Sequence, residues 1–177
     1  VYNYTIGDFD STQFPIPAGL QKEIIEAYKS GFTTYPAAEG ELNLRKSVAQ
    51  FIEKHEGIRF STSEILIAAG GRPLIYALYR TLVDKGDKVI YPVPSWNNNH
   101  YVHFNEGEHI LIECSRENNF MPTAAQLKPV IKDATLLAVC SPLNPTGTVF
   151  NKEELEAICD LILEENNRRT AEQKKLY

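Results

Sequence analysis

Apolar residues recur at helical spacing in two segments near the start of the chain. One stripe runs through Leu20, Ile24, Ile25 and Tyr28, and the next through Leu44, Val48, Phe51, Ile52 and His55. Side chains three or four positions apart share one face of a helix, so this spacing predicts two amphipathic helices. Between them, residues 31–40 (GFTTYPAAEG) are bounded by glycines and contain a proline, which indicates a loop.

Beyond Gly57 the pattern changes to short, continuous apolar runs. Four runs are predicted to be strands: ILIAA (65–69), KVIYP (88–92), HILIEC (109–114) and LLAVC (136–140). Helical or loop segments separate them, and the first run ends in Gly70-Gly71 and is followed by a helical stretch through about Asp84. Apolar runs without polar alternation are typical of strands buried on both faces, and strands that alternate with helices favour a mostly parallel sheet. The fold class predicted is therefore α/β, a three-layer α/β/α architecture.

A last helix is predicted to begin at Asn151, which can cap it, with Glu154 three positions later. Its apolar face consists of Leu155, Ile158, Cys159 and Ile162. A polar turn then leads to Leu176-Tyr177, which we interpret as the first residues of a further strand.

Composition and charge exclude several classes of function. The net charge of −5 and the pI near 5.4 argue against nucleic-acid binding, which needs clustered Lys and Arg. No apolar run approaches the roughly 18 residues of a membrane span, and the first residues do not resemble a signal peptide, so we expect a cytoplasmic protein without a membrane partner. The three cysteines lack metal-ligand spacing and are predicted to be buried, reduced thiols; no metal is expected.

Three short motifs directly follow predicted strands, where open α/β sheets bind ligands. In AAGGRP (68–73), the glycines let backbone amides approach an anion, the following helix adds a partial positive charge, and Arg72 adds a full one. This motif lacks the third glycine of the dinucleotide-binding fingerprint. Taken alone, a Gly-Gly turn between a strand and a helix is as often simple punctuation.

The other two motifs contribute an aromatic ring and an amide. PVPSW (92–96) contains Trp96, the one tryptophan of the chain, whose ring can stack on a planar ligand or pack in a core. In SPLNPTG (141–147), the prolines and the glycine fix a tight turn that presents Asn144 at the end of a strand. An asparagine before a proline is by itself an ordinary turn former.

The order and spacing of these motifs resemble the class I/II aminotransferases, which are fold-type-I pyridoxal-phosphate enzymes. The resemblance spans nearly the whole chain. It rests on Tyr35-Pro-Ala-Ala-Glu-Gly40 with Leu44-Arg45, Gly70-Gly71-Arg72, Pro94-Ser95-Trp96 and Asn144-Pro145-Thr146-Gly147.

The resemblance implies a cofactor, pyridoxal 5′-phosphate, and residues that bind it. Backbone amides around Gly70, Gly71 and Arg72 are implied to hold the cofactor phosphate. Trp96 is implied to stack on the pyridine ring, and Asn144 to donate to the 3′-oxygen of the ring. The Asn144–Pro145 bond is cis in many relatives, which we carry over as a prediction.

Two further positions are implied by the same resemblance. Tyr35 corresponds to a tyrosine that reaches the cofactor phosphate of the partner subunit, so a homodimer is implied. Gly7 corresponds to a glycine near the carboxylate of the substrate. The implied reaction transfers an amino group between an amino acid and a 2-oxo acid.

The chain departs from the family pattern in two respects. Arg72-Pro73 stands where relatives often have a small or polar residue followed by glutamine. The aspartate at the pyridine nitrogen, its tyrosine neighbour, the Schiff-base lysine and the substrate-binding arginine have no counterpart in these 177 residues. We therefore expect an N-terminal part of such an enzyme, with an arm and first helix at 1–30 and a partial large domain at 31–177, unable to transaminate by itself.

Several alternatives remain open at this level. A carbon–sulfur lyase, a decarboxylase or a cyclopropane-forming synthase of the same fold uses the same ring-holding residues. Another hypothesis is that the chain is a non-catalytic module that binds a ligand or dimerises. A nucleotide-binding α/β domain would need a ribose-binding acid after the second strand, where YPVPSW has none. An unpaired sheet edge favours dimerisation or swapping.

Overall fold

The computed structural model describes residues 7–177, which divide into two compact units. The first unit extends to Ala68 and the second is Ala69–Tyr177. The predicted division into an arm at 1–30 and a partial large domain at 31–177 refers to the family's domains and stays a prediction.

The first unit contains both predicted helices, α1 (Ala18–Lys29) and α2 (Leu42–Glu56). A short 3-10 turn, Thr62–Glu64, follows them. Arg45 of α2 is buried, and its guanidinium donates to the carbonyl oxygens of Gly40 (3.1 Å) and Thr62 (2.8 Å). Because two carbonyl groups share this cation, the end of the 31–40 loop is fixed against α2 and the turn that follows it.

The first predicted strand, ILIAA at 65–69, is wrong. Its one backbone hydrogen bond to a distant segment is donated by the Ile67 N–H to the Glu39 oxygen (3.0 Å). No strand ladder runs beside it among residues 7–177. Apolar, β-branched residues favour an extended backbone, but a strand also needs a paired neighbour. The segment is therefore extended without belonging to a sheet.

The second unit is built on a three-stranded parallel sheet. The strands are β1 (Lys88–Val93), β2 (Glu108–Glu113) and β3 (Ala134–Leu137), in the order β2-β1-β3. Ile90 at the centre of β1 stands opposite Ile110 of β2 and Leu137 of β3. The other three predicted strands and the parallel α/β sheet are thus confirmed, although β3 begins two residues before the predicted 136–140 run.

Helices cover both faces of this sheet. They are α3 (Gly71–Leu82), α4 (Asn98–Phe104), α5 (Ala124–Leu127) and α6 (Lys152–Arg168), with short 3-10 turns at Arg116–Asn118 and Ile131–Asp133. On one face Ile90 joins a cluster with Leu127 and Ile158; on the other, Val89 and Tyr91 join a cluster with Tyr79, Val83 and Val102. Burial on both sides explains the continuous apolar sequence of β1 and confirms the three-layer prediction for this unit.

The ends of α6 and of the chain also follow the predictions. The side chain of Asn151 accepts a hydrogen bond from the Glu154 N–H (2.7 Å), which is the predicted cap. Tyr177 donates its N–H to the Thr135 oxygen (3.0 Å) and accepts from the Leu137 N–H (2.7 Å). This pattern is that of a parallel neighbour, so Leu176-Tyr177 pairs with β3 as expected.

A buried ion pair links α6 to the turn after it. The Glu165 carboxylate accepts from Arg168 and from Arg169, whose Nε lies 2.8 Å away and whose side chain is itself buried. Burial would raise the pKa of Glu165, but the arginine hydrogen bonds outweigh it and lower that pKa below 4.5. The ionised carboxylate therefore stabilises the folded chain above its unfolded pKa, and this contribution is lost as the pH falls through the folded pKa.

We expect Glu165→Gln to lower the free energy of unfolding by about 2 kcal/mol at pH 7, because a charge-assisted hydrogen bond loses its charge. The difference from the wild type should shrink as the pH falls below 4.5 and through the lowered pKa of the folded chain, where the native carboxyl becomes protonated. Urea unfolding at pH 7 and at acid pH measures both values. Glu164→Gln, at an exposed neighbouring position, is the control, and it should leave the free energy of unfolding unchanged at both pH values. An undiminished difference at acid pH would contradict this role of the charge.

Candidate functional site

A cleft of about 300 Å³ opens at the carboxyl ends of β1 and β3 in the second unit. The start of α3, the loop between β1 and α4, and the segment after β3 supply its walls. Arg72, Trp96 and Asn144, one from each of the three predicted motifs, all line it. The structure thus brings together the charged, aromatic and amide groups that the sequence places after separate strands.

The first wall is the amino end of α3, which begins at Gly71. Gly70 precedes it with φ 109° and ψ 165°, a backbone region occupied almost solely by glycine, and no side chain caps the helix. A Cβ added to Gly70 or Gly71 would meet no atom within 4 Å, so there is open space in front of this helix end. The two glycines do not themselves line the cleft; they directly precede Arg72, which does.

Electrostatics also favour an anion here. Arg72 is the one charged residue among the described residues that line the cleft. The unpartnered N–H groups at the start of α3 add partial positive charge on the same side. No carboxylate of the described chain lines the cleft to oppose them.

Trp96 lies on the loop between β1 and α4 and is 58% exposed. The loop starts at the cis Val93–Pro94 bond and contains Asn97 in the left-handed conformation (φ 66°). The competing prediction for this residue is a tryptophan in the core or at its rim, and the exposure excludes the core position. The structure places the indole at the cleft, where a flat apolar face is available to a planar ligand.

Asn144 sits in a closed turn after β3. The Leu143 N–H donates to the Thr148 oxygen and the Gly147 N–H to the Leu143 oxygen, both at 2.7 Å. Leu143 is buried and anchors the turn, and the Asn144–Pro145 bond is cis, as predicted. No hydrogen bond joins the Asn144 side chain to another side chain of the described residues, so its amide can donate into the cleft.

The cleft is also lined by residues that were given no role from the sequence, among them Tyr79, Ser95 and Asn98. The Tyr79 hydroxyl donates to Asn98 Oδ1 (3.1 Å), and Asn98 Nδ2 donates to Ser95 Oγ (3.3 Å). Burial, with smaller contributions from Tyr91 and Tyr101, raises the pKa of Tyr79, so the phenol stays protonated. A tyrosine on the apolar stripe of a helix gives no sequence signal that separates it from an ordinary core residue.

Tyr35 and Gly7 belong to the first unit, and their implied roles stay predictions. The Tyr35 side chain is fully exposed, and nothing lies within 4 Å of a Cβ added to Gly7. Among the described residues, no cluster of three or more His, Cys, Asp or Glu side chains is arranged to hold a metal. None of the helices described has both the length and the apolarity needed to cross a bilayer.

All three cysteines are free, as predicted, but the predicted burial is correct only for Cys114. Cys140 and Cys159 are exposed. Cys140 falls outside β3, which ends at Leu137 rather than at residue 140, and it lines the cleft. Cys159 lies beside the buried stripe of α6, where Ile158 takes the core position.

The cysteines provide a chemical test of the cleft. We expect a thiol reagent to modify Cys140 and Cys159 in the native chain but Cys114 only after unfolding, because burial blocks access and raises the pKa of the Cys114 thiol. Pyridoxal phosphate should slow modification of Cys140 and leave Cys159 unchanged. Peptide mapping by mass spectrometry measures each site. Equal protection of both exposed cysteines would contradict binding in the cleft.

Comparison with known proteins assigns the family. The family described as "Aminotransferase class I and II" matches residues 2–168. A "Probable aspartate/prephenate aminotransferase" of Rickettsia felis is 36% identical over 151 residues, covering 84% of this chain and 37% of the relative. An "Aspartate aminotransferase" of Bacillus sp. (strain YM-2) is 32% identical over 155 residues, covering 86% of this chain and 40% of the relative.

A solved structure agrees with these relatives. The aspartate aminotransferase from Thermus thermophilus with maleate superposes with a TM-score of 0.82 at 30% identity, over 90% of this chain and 41% of that one. The chain thus spans about two fifths of the length of these proteins. Its three-stranded parallel sheet with flanking helices is consistent with an incomplete portion of their α/β fold. The chain belongs to the class I and II aminotransferase family.

Proposed function

We propose that the cleft binds pyridoxal 5′-phosphate and that the protein carrying this chain is an aminotransferase, which moves an amino group between an amino acid and a 2-oxo acid. One observation carries the proposal: Arg72, Trp96 and Asn144 line a single cleft in a chain of this family. The motifs are far apart in sequence. Those of Trp96 and Asn144 follow β1 and β3, which end at one edge of the sheet, and Arg72 joins them at the start of α3.

The residues present fit the cofactor chemically. Arg72 and the free N–H groups of α3 match a dianionic phosphate, and the open space at Gly70 and Gly71 leaves room for it. The Trp96 indole offers a flat surface to a pyridine ring, and the Asn144 amide offers a donor to an oxygen on that ring. The cleft volume lies at the lower end of the range of small-molecule sites, about 300–1,000 Å³.

Each residue has a defined task in this proposal. Arg72 and the α3 amides anchor the phosphate, so the ring keeps one position during turnover. Trp96 covers one face of the ring and excludes water from it, and Asn144 favours the anionic form of the ring oxygen by donating to it. When bound, pyridoxal phosphate supplies an electron-withdrawing ring that stabilises negative charge on the amino-acid carbon.

For the chain itself the proposal is limited to holding the cofactor. No lysine lines the cleft among the residues that the structure describes, so the Schiff-base lysine is expected from elsewhere in the whole protein. Tyr35 is proposed to reach the partner subunit's cofactor phosphate in a cytoplasmic homodimer. Its full exposure on a loop anchored by Arg45 supports this, and light scattering tests the dimer.

The names of the relatives favour an acidic amino acid such as aspartate as the amino donor. The test uses the whole gene product that contains this chain, with pyridoxal phosphate, aspartate and a 2-oxo acid acceptor. We expect a new amino acid and the oxo acid of the donor in equal amounts, measured by mass spectrometry. Release of a thiol or of carbon dioxide instead would indicate a lyase or a decarboxylase. Cofactor binding without any product would favour a non-catalytic module.

A further inference from the structure

A line of three polar side chains connects α3 to the loop that carries Trp96. The Tyr79 hydroxyl donates to Asn98 Oδ1 at 3.1 Å, and Asn98 Nδ2 donates to Ser95 Oγ at 3.3 Å. All three residues line the same cleft as the indole. Ser95 and Asn98 stand on either side of Trp96 in sequence, so the line closes the loop around the residue that bears the ring.

Tyr79 is a fixed donor. Its side chain is 3% exposed and belongs to the buried cluster with Val83, Val89 and Val102. Its ring packs against Tyr101 with centroids 5.3 Å apart. Because burial also raises the pKa of the phenol, the hydroxyl stays protonated and can donate at neutral pH and well above it.

The loop that carries Trp96, by contrast, has few other contacts that restrain it from α3. No second hydrogen bond joins α3 to residues 94–98 in the described part of the chain. Asn97 adopts a left-handed conformation, which a non-glycine residue keeps only when its surroundings hold it. The indole itself is more than half exposed and is not held by core packing.

We propose that Tyr79 is a positioning residue, which acts through Asn98 and Ser95 to hold the Trp96 ring in the orientation needed to stack on the cofactor. The proposal rests on the proposed function for the meaning of that stacking. Its physical content, restraint of the indole by a phenol on the neighbouring helix, stands independently of any ligand. Tyr79 lies outside the three sequence motifs that follow the predicted strands.

Tyr79→Phe tests the proposal by removing only the donor oxygen. We expect a lower emission anisotropy and faster acrylamide quenching of Trp96, which is the one tryptophan of the chain. The dissociation constant for pyridoxal phosphate, measured by equilibrium dialysis, should rise roughly 3–10-fold, the loss of one hydrogen bond of positioning. Asn98→Ala should give the same changes, and the double variant should add little to either single variant.

Tyr91→Phe is the matched control. It removes a hydroxyl from the same buried cluster, where Tyr91 shares a 2.8 Å hydrogen bond with His109 Nδ1, but Tyr91 does not line the cleft. A similar fall in the urea midpoint is expected for Tyr79→Phe and Tyr91→Phe, and a change in Trp96 mobility only for the former. Circular dichroism verifies that each variant is folded.

The outcomes separate the two proposals. Unchanged Trp96 mobility in folded Tyr79→Phe and Asn98→Ala would overturn the positioning role, whatever the affinity for the cofactor. The same change in Tyr91→Phe would overturn it too, because a general loss of packing would then suffice. If the wild-type chain fails to bind pyridoxal phosphate, the proposed function fails, and the mobility measurement still decides the role of Tyr79.

Discussion

Gly40→Ala is expected to lower the free energy of unfolding by about 4 kcal/mol, from overpacking and backbone strain together. A Cβ at this position would lie 2.5 Å from Ile67 Cβ and 2.9 Å from Ile67 Cγ1. Those atoms are at the base of the isoleucine side chain, so they cannot swing away as a flexible tip would. Gly40 also has φ 96°, where an L side chain is strained whatever the space. Urea unfolding followed by circular dichroism measures the loss.

Gly31→Ala is the matched control for the backbone component. Gly31 has φ 76°, but a Cβ there meets nothing within 4 Å. We expect a loss of about 1 kcal/mol, due to the left-handed backbone alone. Equal losses in the two variants would show that the close approach between Gly40 and Ile67 does not exist.

The Gly40 contact bears on the role proposed for Tyr35, because it helps to fix the loop that carries this residue. The Ile67 N–H bonds to the Glu39 oxygen, and Arg45 holds the Gly40 oxygen. The glycine that closes the family's tyrosine-containing loop is thus required by a close approach and by a positive φ. Its loss should disturb the residue proposed to contact the partner subunit's cofactor.

Arg72→Gln is expected to weaken binding of pyridoxal phosphate by about 2 kcal/mol, roughly 30-fold in the dissociation constant. The variant removes the one charge that lines the cleft among the described residues, and with it the charge-assisted hydrogen bond that is proposed to hold the phosphate. Equilibrium dialysis at low ionic strength measures the affinity. The wild-type affinity should also fall with added salt more steeply than that of the variant, because the lost interaction is ionic.

Arg80→Gln removes the same charge from the last turn of the same helix. Arg80 donates to Asn105 Oδ1 (3.3 Å) and does not line the cleft, so the affinity should change by less than twofold, within the small effect expected of a distant screened charge. An equal weakening in the two variants would mean that net charge, and not a contact of Arg72, governs binding. An unchanged affinity in Arg72→Gln would place the phosphate elsewhere.

The parts of the fold that the sequence predicts are those set by short-range patterns. The two apolar stripes of the first unit form α1 and α2. The central run KVIYP forms β1, and its apolar sequence is continuous because the strand is buried on both faces. The strand predicted at 65–69 is wrong because a strand must pair with a neighbouring strand, and the local sequence does not encode that neighbour. The predicted burial of Cys140 is wrong for a related reason, because the exposure of this residue depends on where β3 ends.

The residues of the candidate site likewise include some that the sequence could predict and some that it could not. Trp96 and Asn144 could be predicted because each follows a strand of the sheet in a motif, and parallel strands bring such motifs to one edge. Arg72 follows a run that forms no strand, and it reaches the cleft because it lies at the start of α3, which packs on the sheet. Tyr79 and Asn98 could not, because their relation is a contact between two elements 19 positions apart. A buried phenol that bonds to a loop asparagine has the same sequence pattern as a core tyrosine and a turn residue.

The central claim is that Trp96 lies against pyridoxal phosphate in a cleft that also holds Arg72, and fluorescence titration of the chain tests it most directly. Trp96 is the one emitting tryptophan, so no other indole contributes. With absorption corrected by free N-acetyltryptophanamide, we predict saturable quenching by pyridoxal phosphate and much weaker quenching by pyridoxal, which lacks the phosphate. Unchanged emission, or the same response to both compounds, would contradict the account.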